Sequence, residues 1–140
     1  MSLLLTDTVL LVEPDPVTRE TYRRALSGAG FLVNPVEGGA AALSFLDQYR
    51  PAVVVFELGL PQLAGFDLLK ELRSRPNTTD VPAIVIVASN AVVAAAPFAT
   101  LVRKPVRLEQ LVAAVEDALS RSATSRYTRF YDEDAEDDQV

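Results

Sequence analysis

Cysteine and histidine are both absent from the 140 residues of this sequence. Without cysteine there is no disulfide, no thiol nucleophile and no zinc–thiolate site. Without histidine the chain lacks the commonest general base and the commonest transition-metal ligand. No apolar run is long enough to cross a bilayer, and the leucines at residues 3–5 are too few for a signal-peptide core. We therefore expect a cytoplasmic protein without thiol or imidazole chemistry.

Basic residues are fewer than acidic ones, 13 against 19, which gives a net charge of −6. Because nucleic-acid binding draws on clustered Lys and Arg, this balance argues against a nucleic-acid partner. Six of the acidic residues lie in residues 132–140, where there is no basic residue. We expect one domain over residues 1–121 and an acidic tail over residues 122–140. The tail is too short for a helix-turn-helix output module, so the sequence predicts a stand-alone module.

Short apolar runs alternate with segments that have helical spacing. The apolar runs, rich in β-branched residues, predict five strands at residues 8–12, 31–36, 52–56, 82–88 and 99–102. Apolar residues at helical spacing predict helices at residues 15–29, 39–49, 66–73 and 108–119. This order is typical of an α/β protein with a doubly wound parallel sheet.

The predicted strands are apolar on both faces, which indicates a parallel sheet covered by helices on both sides. Right-handed crossovers then leave few topologies, and a flavodoxin-like five-stranded sheet of order 2-1-3-4-5 is expected. In such sheets the functional site lies beyond the carboxyl ends of the strands. The residues that matter for chemistry should therefore follow Val12, Phe56, Ala88 and Val102.

Those strand ends carry an ordered set of short motifs. Glu13-Pro14-Asp15-Pro16 follows the first strand, Glu57 with the Pro61-x-x-x-Gly65 pattern follows the third, Val87-Ala88-Ser89 ends the fourth, and Lys104-Pro105 follows the fifth. As a set, these motifs resemble the CheY-like receiver domain of bacterial response regulators. The resemblance covers residues 8–120 and implies a module of two-component signalling, or phosphorelay, and not an enzyme.

The resemblance implies a particular chemistry at the strand ends. An aspartate at the end of strand three accepts a phosphoryl group, and Mg²⁺ held by acidic residues offsets the charge there. A lysine after strand five binds the phosphoryl oxygens. A Ser or Thr after strand four and an aromatic residue on strand five relay the change to the surface. The resemblance also implies a cis peptide bond between Lys104 and Pro105.

This sequence departs from the family pattern at four of those positions. Glu57 replaces the aspartate, and its extra methylene moves the carboxylate by about 1.5 Å. Pro14 replaces a direct acidic metal ligand and offers no side-chain oxygen. Val87 replaces the Ser or Thr, and Leu101 replaces the aromatic residue. We therefore expect a degenerate receiver, or pseudo-receiver, with no catalytic residue.

The remaining polar residues at the strand ends have two interpretations each. Asp15 is expected to cap the first helix, with Pro16 at its first turn, in preference to binding metal. Glu13 either pairs with Lys104 or takes part in a metal site. Glu57 is expected to pair with Lys104. A metal site, if there is one, would use Glu13, Asp15 and Glu57, so Mg²⁺ is a doubtful cofactor and no other is expected.

Three functions are compatible with these residues. The first is a pseudo-receiver that acts by protein–protein interaction within a signalling pathway, with no membrane partner. The second is a ligand-binding or enzymatic protein on the same flavodoxin-like scaffold, although no glycine-rich phosphate loop follows the first strand. The third is a true phosphorelay receiver that uses Glu57, and we rank it last.

The segment between strands four and five is short for this family, so a shortened or missing fourth helix is expected. Residues 91–101 contain no charged residue. Exposed apolar patches usually mark interaction sites, so we expect a protein contact there, most simply a homodimer through Val92, Val93 and Phe98. Three aromatic residues of the tail, Tyr127, Phe130 and Tyr131, are expected to pack on the domain or on a second copy.

Overall fold

The computed structural model describes residues 8–59, 65–91 and 98–121. Eight elements have these bounds: β1 (Thr8–Val12), α1 (Pro16–Gly28), β2 (Leu32–Val36), α2 (Gly39–Gln48), β3 (Val53–Glu57), α3 (Gly65–Ser74), β4 (Ala83–Val87) and β5 (Ala99–Arg103). A last helix, α4, covers residues 108–121. The predicted strands and helices all exist, with bounds that differ by two residues or fewer from those expected.

The five strands form one parallel sheet of order β2-β1-β3-β4-β5. This order confirms the flavodoxin-like fold that the sequence predicts. The three central strands are buried along almost their whole length, because helices cover both of their faces. Glu57, the last residue of β3, is half-buried and stands where the strand leaves the core.

Each face of the sheet has its own hydrophobic core. One core packs α2 and α3 against the sheet around Phe56 and Leu72. The other packs α1 and α4 against the opposite face around Leu26 and Leu111. Alternate residues of each strand serve the two cores, as expected for strands whose successive side chains point to opposite faces. The strands whose carboxyl ends present the candidate site are therefore packed on both faces.

The two edges of the sheet differ in their exposed backbone groups. At β2 the carbonyl oxygen of Val36 accepts a hydrogen bond from the Glu13 amide at 3.0 Å, so Val36 faces β1. Its neighbour Pro35 therefore faces outward and has no N–H to offer. At β5 the carbonyl oxygen of Phe98 accepts from the Ala83 amide at 2.8 Å. By the same alternation, the backbone groups of Leu101 face outward from β5.

Three sequence expectations fall wholly or partly outside the described residues. β4 ends at Val87 and β5 begins at Ala99, and the shortened fourth helix would lie mainly in residues 92–97 of this connection. The interface residues Val92 and Val93 lie in the same stretch, and the tail aromatics lie beyond residue 121. Within the described ranges, no helix is long and apolar enough to span a membrane.

Candidate functional site

The carboxyl ends of β1, β3 and β5 bring three charged side chains together. Glu57 Oε1 lies 2.7 Å from Lys104 Nζ, which forms an ion pair between the end of β3 and the residue after β5. The Glu57 side chain is 18% exposed and that of Lys104 is 49% exposed, so the pair is partly screened by solvent. The predicted pairing of Glu57 with Lys104 is confirmed.

Lys104 is placed by its backbone as well as by its charge. Its amide donates to the Val87 carbonyl oxygen at 2.9 Å, which continues the β4–β5 ladder by one residue. The peptide bond between Lys104 and Pro105 is cis, as the family resemblance implies. The hydrogen bond to Val87 fixes where the lysine side chain leaves the backbone, beside the end of β3.

Glu13 is the most deeply buried acid of the site, with 3% of its surface exposed. Its Oε2 accepts a hydrogen bond from the Asp15 amide at 3.0 Å, whereas its Oε1 has no hydrogen-bond partner. Burial raises the pKa of Glu13, opposed by the Asp15 amide, and the Glu57 charge raises it further. Among the described residues Glu13 forms no ion pair, so of the two acids it is Glu57 that pairs with Lys104.

Tyr22, on the buried face of α1, lies in the electrostatic field of the same acids. Burial raises the pKa of its hydroxyl to about 12, and the charges of Glu13 and Glu57 contribute in the same direction. A tyrosine with such a pKa stays neutral at physiological pH. Tyr22 therefore contributes packing below the site and no charge to it.

Asp15 caps α1, as the sequence predicts. Its Oδ2 accepts from the Thr18 amide at 2.8 Å and from the Thr18 hydroxyl at 2.6 Å, and Pro16 occupies the first turn. These hydrogen bonds from Thr18 lower the pKa of Asp15. The carboxylate that could have served as a metal ligand is thus engaged in holding the start of a helix.

Sequence reasoning missed Arg19, which organises the loop after β1. Its Nη1 donates to the carbonyl oxygen of Glu13 at 2.8 Å and to that of Pro14 at 3.4 Å. Sequence reasoning also missed Arg103, which is exposed and whose Nη1 donates to the Ala91 carbonyl oxygen at 2.6 Å. The four-residue spacing from the Asp15 cap to Arg19 places this side chain one helical turn into α1, and that spacing is the signal that could have found it.

The two positions that should relay a signal are both occupied by aliphatic core residues. Val87 is buried in the core under α2 and α3, and Leu101 packs against the same cluster while half-buried. Neither side chain can donate a hydrogen bond. Positions 87 and 101 therefore offer neither a hydroxyl nor a ring that could respond to a change in charge at the centre of the site.

The residues present do not fit a divalent metal ion well. Mg²⁺ is held by oxygen ligands, chiefly carboxylates and water, in near-octahedral geometry. Asp15 is engaged in the helix cap, Glu57 is paired with Lys104, and Pro14 supplies no ligand atom. Among the described residues there is no group of three or more acidic, cysteine or histidine side chains that could hold a metal. Among the described residues, Glu13 Oε1 is the one buried polar side-chain atom without a hydrogen-bond partner, and a single oxygen is too few to hold the ion.

A separate groove of about 420 Å³ lies at the other end of the sheet. It is lined by the first residues of β1 and β2 and by two residues at the end of α2: Thr8, Leu32, Val33, Asn34, Phe45 and Tyr49. In doubly wound sheets ligands bind at the carboxyl ends of the strands, whereas this groove is at the amino ends. We therefore place the candidate site at Glu13, Glu57 and Lys104.

Comparison with known proteins agrees with the fold. Residues 9–116 match the family described as Response regulator receiver domain. The response regulator MprA of Mycobacterium sp. strain KMS is 33% identical over 120 residues, which is 82% of this chain and 51% of that protein. The chain thus spans about half the length of the curated relatives it matches.

Two solved structures show how far the fold agrees. A putative response regulator from Chloroflexus aurantiacus J-10-fl has a TM-score of 0.75 at 27% identity, covering 81% of this chain and 98% of that one. The receiver domain of the sensor histidine kinase PA1611 from Pseudomonas aeruginosa PAO1, with magnesium in its active-site cleft, has a TM-score of 0.73 at 24% identity, with the same coverage. The second of these supports the fold alone.

Proposed function

Because the chain belongs to the response regulator receiver domain family, we propose that it is a two-component signalling module that is not phosphorylated in the ordinary way and acts by protein–protein contact. A receiver domain is a signalling module, and no catalytic role is assigned to any residue here. A cytoplasmic location is part of the proposal and rests on the sequence.

The observation that carries the proposal is the ion pair between Glu57 and Lys104 at 2.7 Å. In a receiver that accepts phosphate, the lysine is available to bind phosphoryl oxygens. Here its ammonium already has a carboxylate partner from the phosphoacceptor position. The pair places a negative charge on a longer side chain next to the lysine, which partly reproduces the charge arrangement of a phosphorylated site.

The surrounding residues favour one fixed conformation over a switch. Pro14 supplies no metal ligand, and Val87 and Leu101 supply no hydrogen bond or ring by which a phosphoryl group could change the surface. Misplacing a reacting group by about 1 Å can cost roughly 100-fold in rate, so the longer Glu57 side chain alone would impair phosphoryl transfer. We infer that a partner reads this surface in a constant state.

The test is titration of the wild-type chain with Mg²⁺ and beryllofluoride, a mimic of the phosphoryl group, followed by calorimetry. We expect no saturable binding, because the metal site and the acceptor geometry are both altered. The variant with Glu57→Asp and Pro14→Asp serves as a positive control for the same titration. Stoichiometric, Mg²⁺-dependent binding to the wild type would contradict the proposal.

We also propose that the surface after β4 makes the protein contact, most simply in a homodimer that includes Phe98. Phe98 is 54% exposed and belongs to residues 91–101, a stretch without any charged residue. Phe98→Glu should lower the molar mass measured by light scattering at high concentration, because it places a charge in an apolar contact. Tyr49→Glu is the matched control, since Tyr49 is a similarly exposed aromatic at the opposite edge of the sheet. A wild type that is monomeric at all concentrations would refute the dimer.

A further inference from the structure

The side chain of Arg73, in the last turn of α3, joins three parts of the chain. Its Nη1 donates to the Val81 carbonyl oxygen at 2.8 Å and to that of Thr79 at 3.3 Å, both in the connection before β4. Its Nη2 donates to the Phe98 carbonyl oxygen at 3.2 Å, directly before β5. One guanidinium therefore links the end of a helix to the starts of two neighbouring strands.

The surroundings of the Arg73 guanidinium hold it in place. The connection before β4 is anchored by Thr78, which is fully buried and whose hydroxyl donates to the Leu72 carbonyl oxygen at 2.8 Å. The Val81 amide donates in turn to the Thr78 carbonyl oxygen at 3.1 Å. Burial lowers the pKa of Arg73, and the charge of Asp80 opposes that shift. Because the pKa of an arginine starts above 12, the side chain keeps its positive charge at pH 7.

Phe98 has a backbone conformation that depends on its surroundings. Its φ is 59°, in the left-handed region that aromatic residues rarely adopt and that persists where neighbouring groups hold it. Its carbonyl oxygen accepts a hydrogen bond from the Ala83 amide at 2.8 Å as well as the one from Arg73. Arg73 Cζ also lies 5.5 Å from the centroid of the Phe98 ring, within the range of a cation–π interaction. Arg73 therefore contacts both the backbone and the ring of Phe98.

The order that Arg73 imposes on this exposed ring bears on how well the ring can bind. A free side chain loses conformational freedom when it enters a contact, whereas a side chain already held in place does not pay that cost again. Five large apolar side chains are exposed in the described ranges, and a cation–π contact is found for Phe98 alone among them. Phe98 also lies at the amino end of β5, away from the Glu57–Lys104 pair, so its order does not depend on the state of that pair.

We propose that Arg73 is a positioning residue for the protein contact at Phe98, because its guanidinium holds the ring outward in one conformation. The inference rests on the contact put forward under the proposed function. Arg73 sets the affinity of that contact through Phe98 and does not have to touch the partner. In a purely structural role, Arg73 would only supply donors to the carbonyl oxygens before β4. The two roles differ in what they predict for association.

The first measurement is the dissociation constant of self-association, from light scattering of a dilution series. It is made on the wild type, Arg73→Met, Phe98→Ala and the double variant. Arg73→Met should raise the constant about tenfold, because the ring then has to be ordered on contact. In the Phe98→Ala background the same substitution should have no further effect. Equal weakening in both backgrounds is the result of a structural role alone and would overturn the proposal.

The second measurement reads the ring without any partner, by fluorine NMR of the dilute chain labelled with 4-fluorophenylalanine. The chain contains six phenylalanines, and the Phe98 signal is identified by its loss in Phe98→Ala. Arg73→Met should move this signal toward its position in the urea-unfolded chain. Arg73→Lys keeps the charge but loses the planar fork, so it should move the signal less far and leave the other signals in place. A Phe98 signal that stays unmoved in Arg73→Lys and Arg73→Met would contradict the positioning role.

Arg75→Met is the matched control, because Arg75 directly follows α3 and pairs with Asp47 and Glu71 instead of Phe98. It should change neither the dissociation constant nor the Phe98 signal. A wild type that is monomeric at every concentration, with a Phe98 signal that still moves in Arg73→Lys, would refute the homodimer and support the positioning of the ring. A dimer that Arg73→Met leaves intact would support the contact and overturn the role of Arg73.

Discussion

With Glu57→Asp and Pro14→Asp together, the chain is expected to become phosphorylated by acetyl phosphate in the presence of Mg²⁺, whereas the wild type stays unmodified. The shorter aspartate side chain at position 57 withdraws its carboxylate from Lys104 by about 1.5 Å, and position 14 gains an oxygen ligand. The new acyl phosphate forms as the bond from phosphorus to the acetate oxygen breaks. We expect the rate of modification of this variant to exceed that of the wild type by at least roughly 100-fold, read by intact mass over time.

Two further variants make this result interpretable. Pro14→Asp alone should improve Mg²⁺ binding without giving phosphorylation, because Glu57 remains misplaced. Pro14→Asp combined with Glu57→Gln should bind metal more weakly and give no phosphoryl adduct, which assigns the adduct to position 57. A phosphoryl group on the wild-type chain that disappears in Glu57→Gln would show that the native glutamate is a working acceptor.

Lys104→Met is expected to destabilise the domain and to make its stability depend on divalent cations. Removal of the ammonium leaves the Glu57 carboxylate without its ion-pair partner and removes a charge that lowers the pKa of Glu13. Because the ion pair is partly exposed, we expect a loss of about 1–3 kcal/mol in the free energy of unfolding at pH 7. Mg²⁺ at millimolar concentration should restore part of this loss, because two carboxylates and water are sufficient ligands for it.

The measurement is the melting temperature at pH 7 with NaCl or MgCl₂ at equal ionic strength. Lys70→Met is the matched control, because Lys70 is the other lysine of the chain and lies exposed on α3. It should change neither the melting temperature nor its response to Mg²⁺. In the double variant with Lys104→Met and Glu57→Gln the response to Mg²⁺ should disappear. A Lys104→Met protein with the stability of the wild type would show that the ion pair is energetically neutral.

The strands and their order could be predicted because burial on both faces leaves a strong pattern in the sequence. β1 has the predicted bounds, since Val9 to Val12 are all apolar and Glu13 ends the run. Handedness then fixed the topology, and the topology brought Glu57 and Lys104 to the same edge. The ion pair was predictable because its two partners follow strands that are close together in that topology.

The details of the site depend on side-chain conformations that no pattern encodes. Glu13 and Glu57 are both acids at strand ends, and the sequence left open whether Glu13 also pairs with Lys104. Glu57 pairs with Lys104 and Glu13 does not, because the Glu13 carboxylate accepts a hydrogen bond from the nearby Asp15 amide instead. The hydrogen bonds of Arg19 to the loop carbonyls escaped notice because the four-residue spacing from Asp15 gives the position of Arg19 on the helix and not the conformation of its side chain.

Pro35 has a consequence for how large an assembly of this protein can become. A sheet that exposes hydrogen-bonding groups on both edges can add copies at either side and grow without limit into a filament. Here the outer edge of β2 has no amide N–H at Pro35, next to the last residue of the strand. Another strand cannot pair with β2 at that position, which hinders the addition of copies on that side. If two copies met edge to edge at β5 about a two-fold axis, only their β2 edges would stay outside. The proline at each of those edges would then stop the pair from growing further.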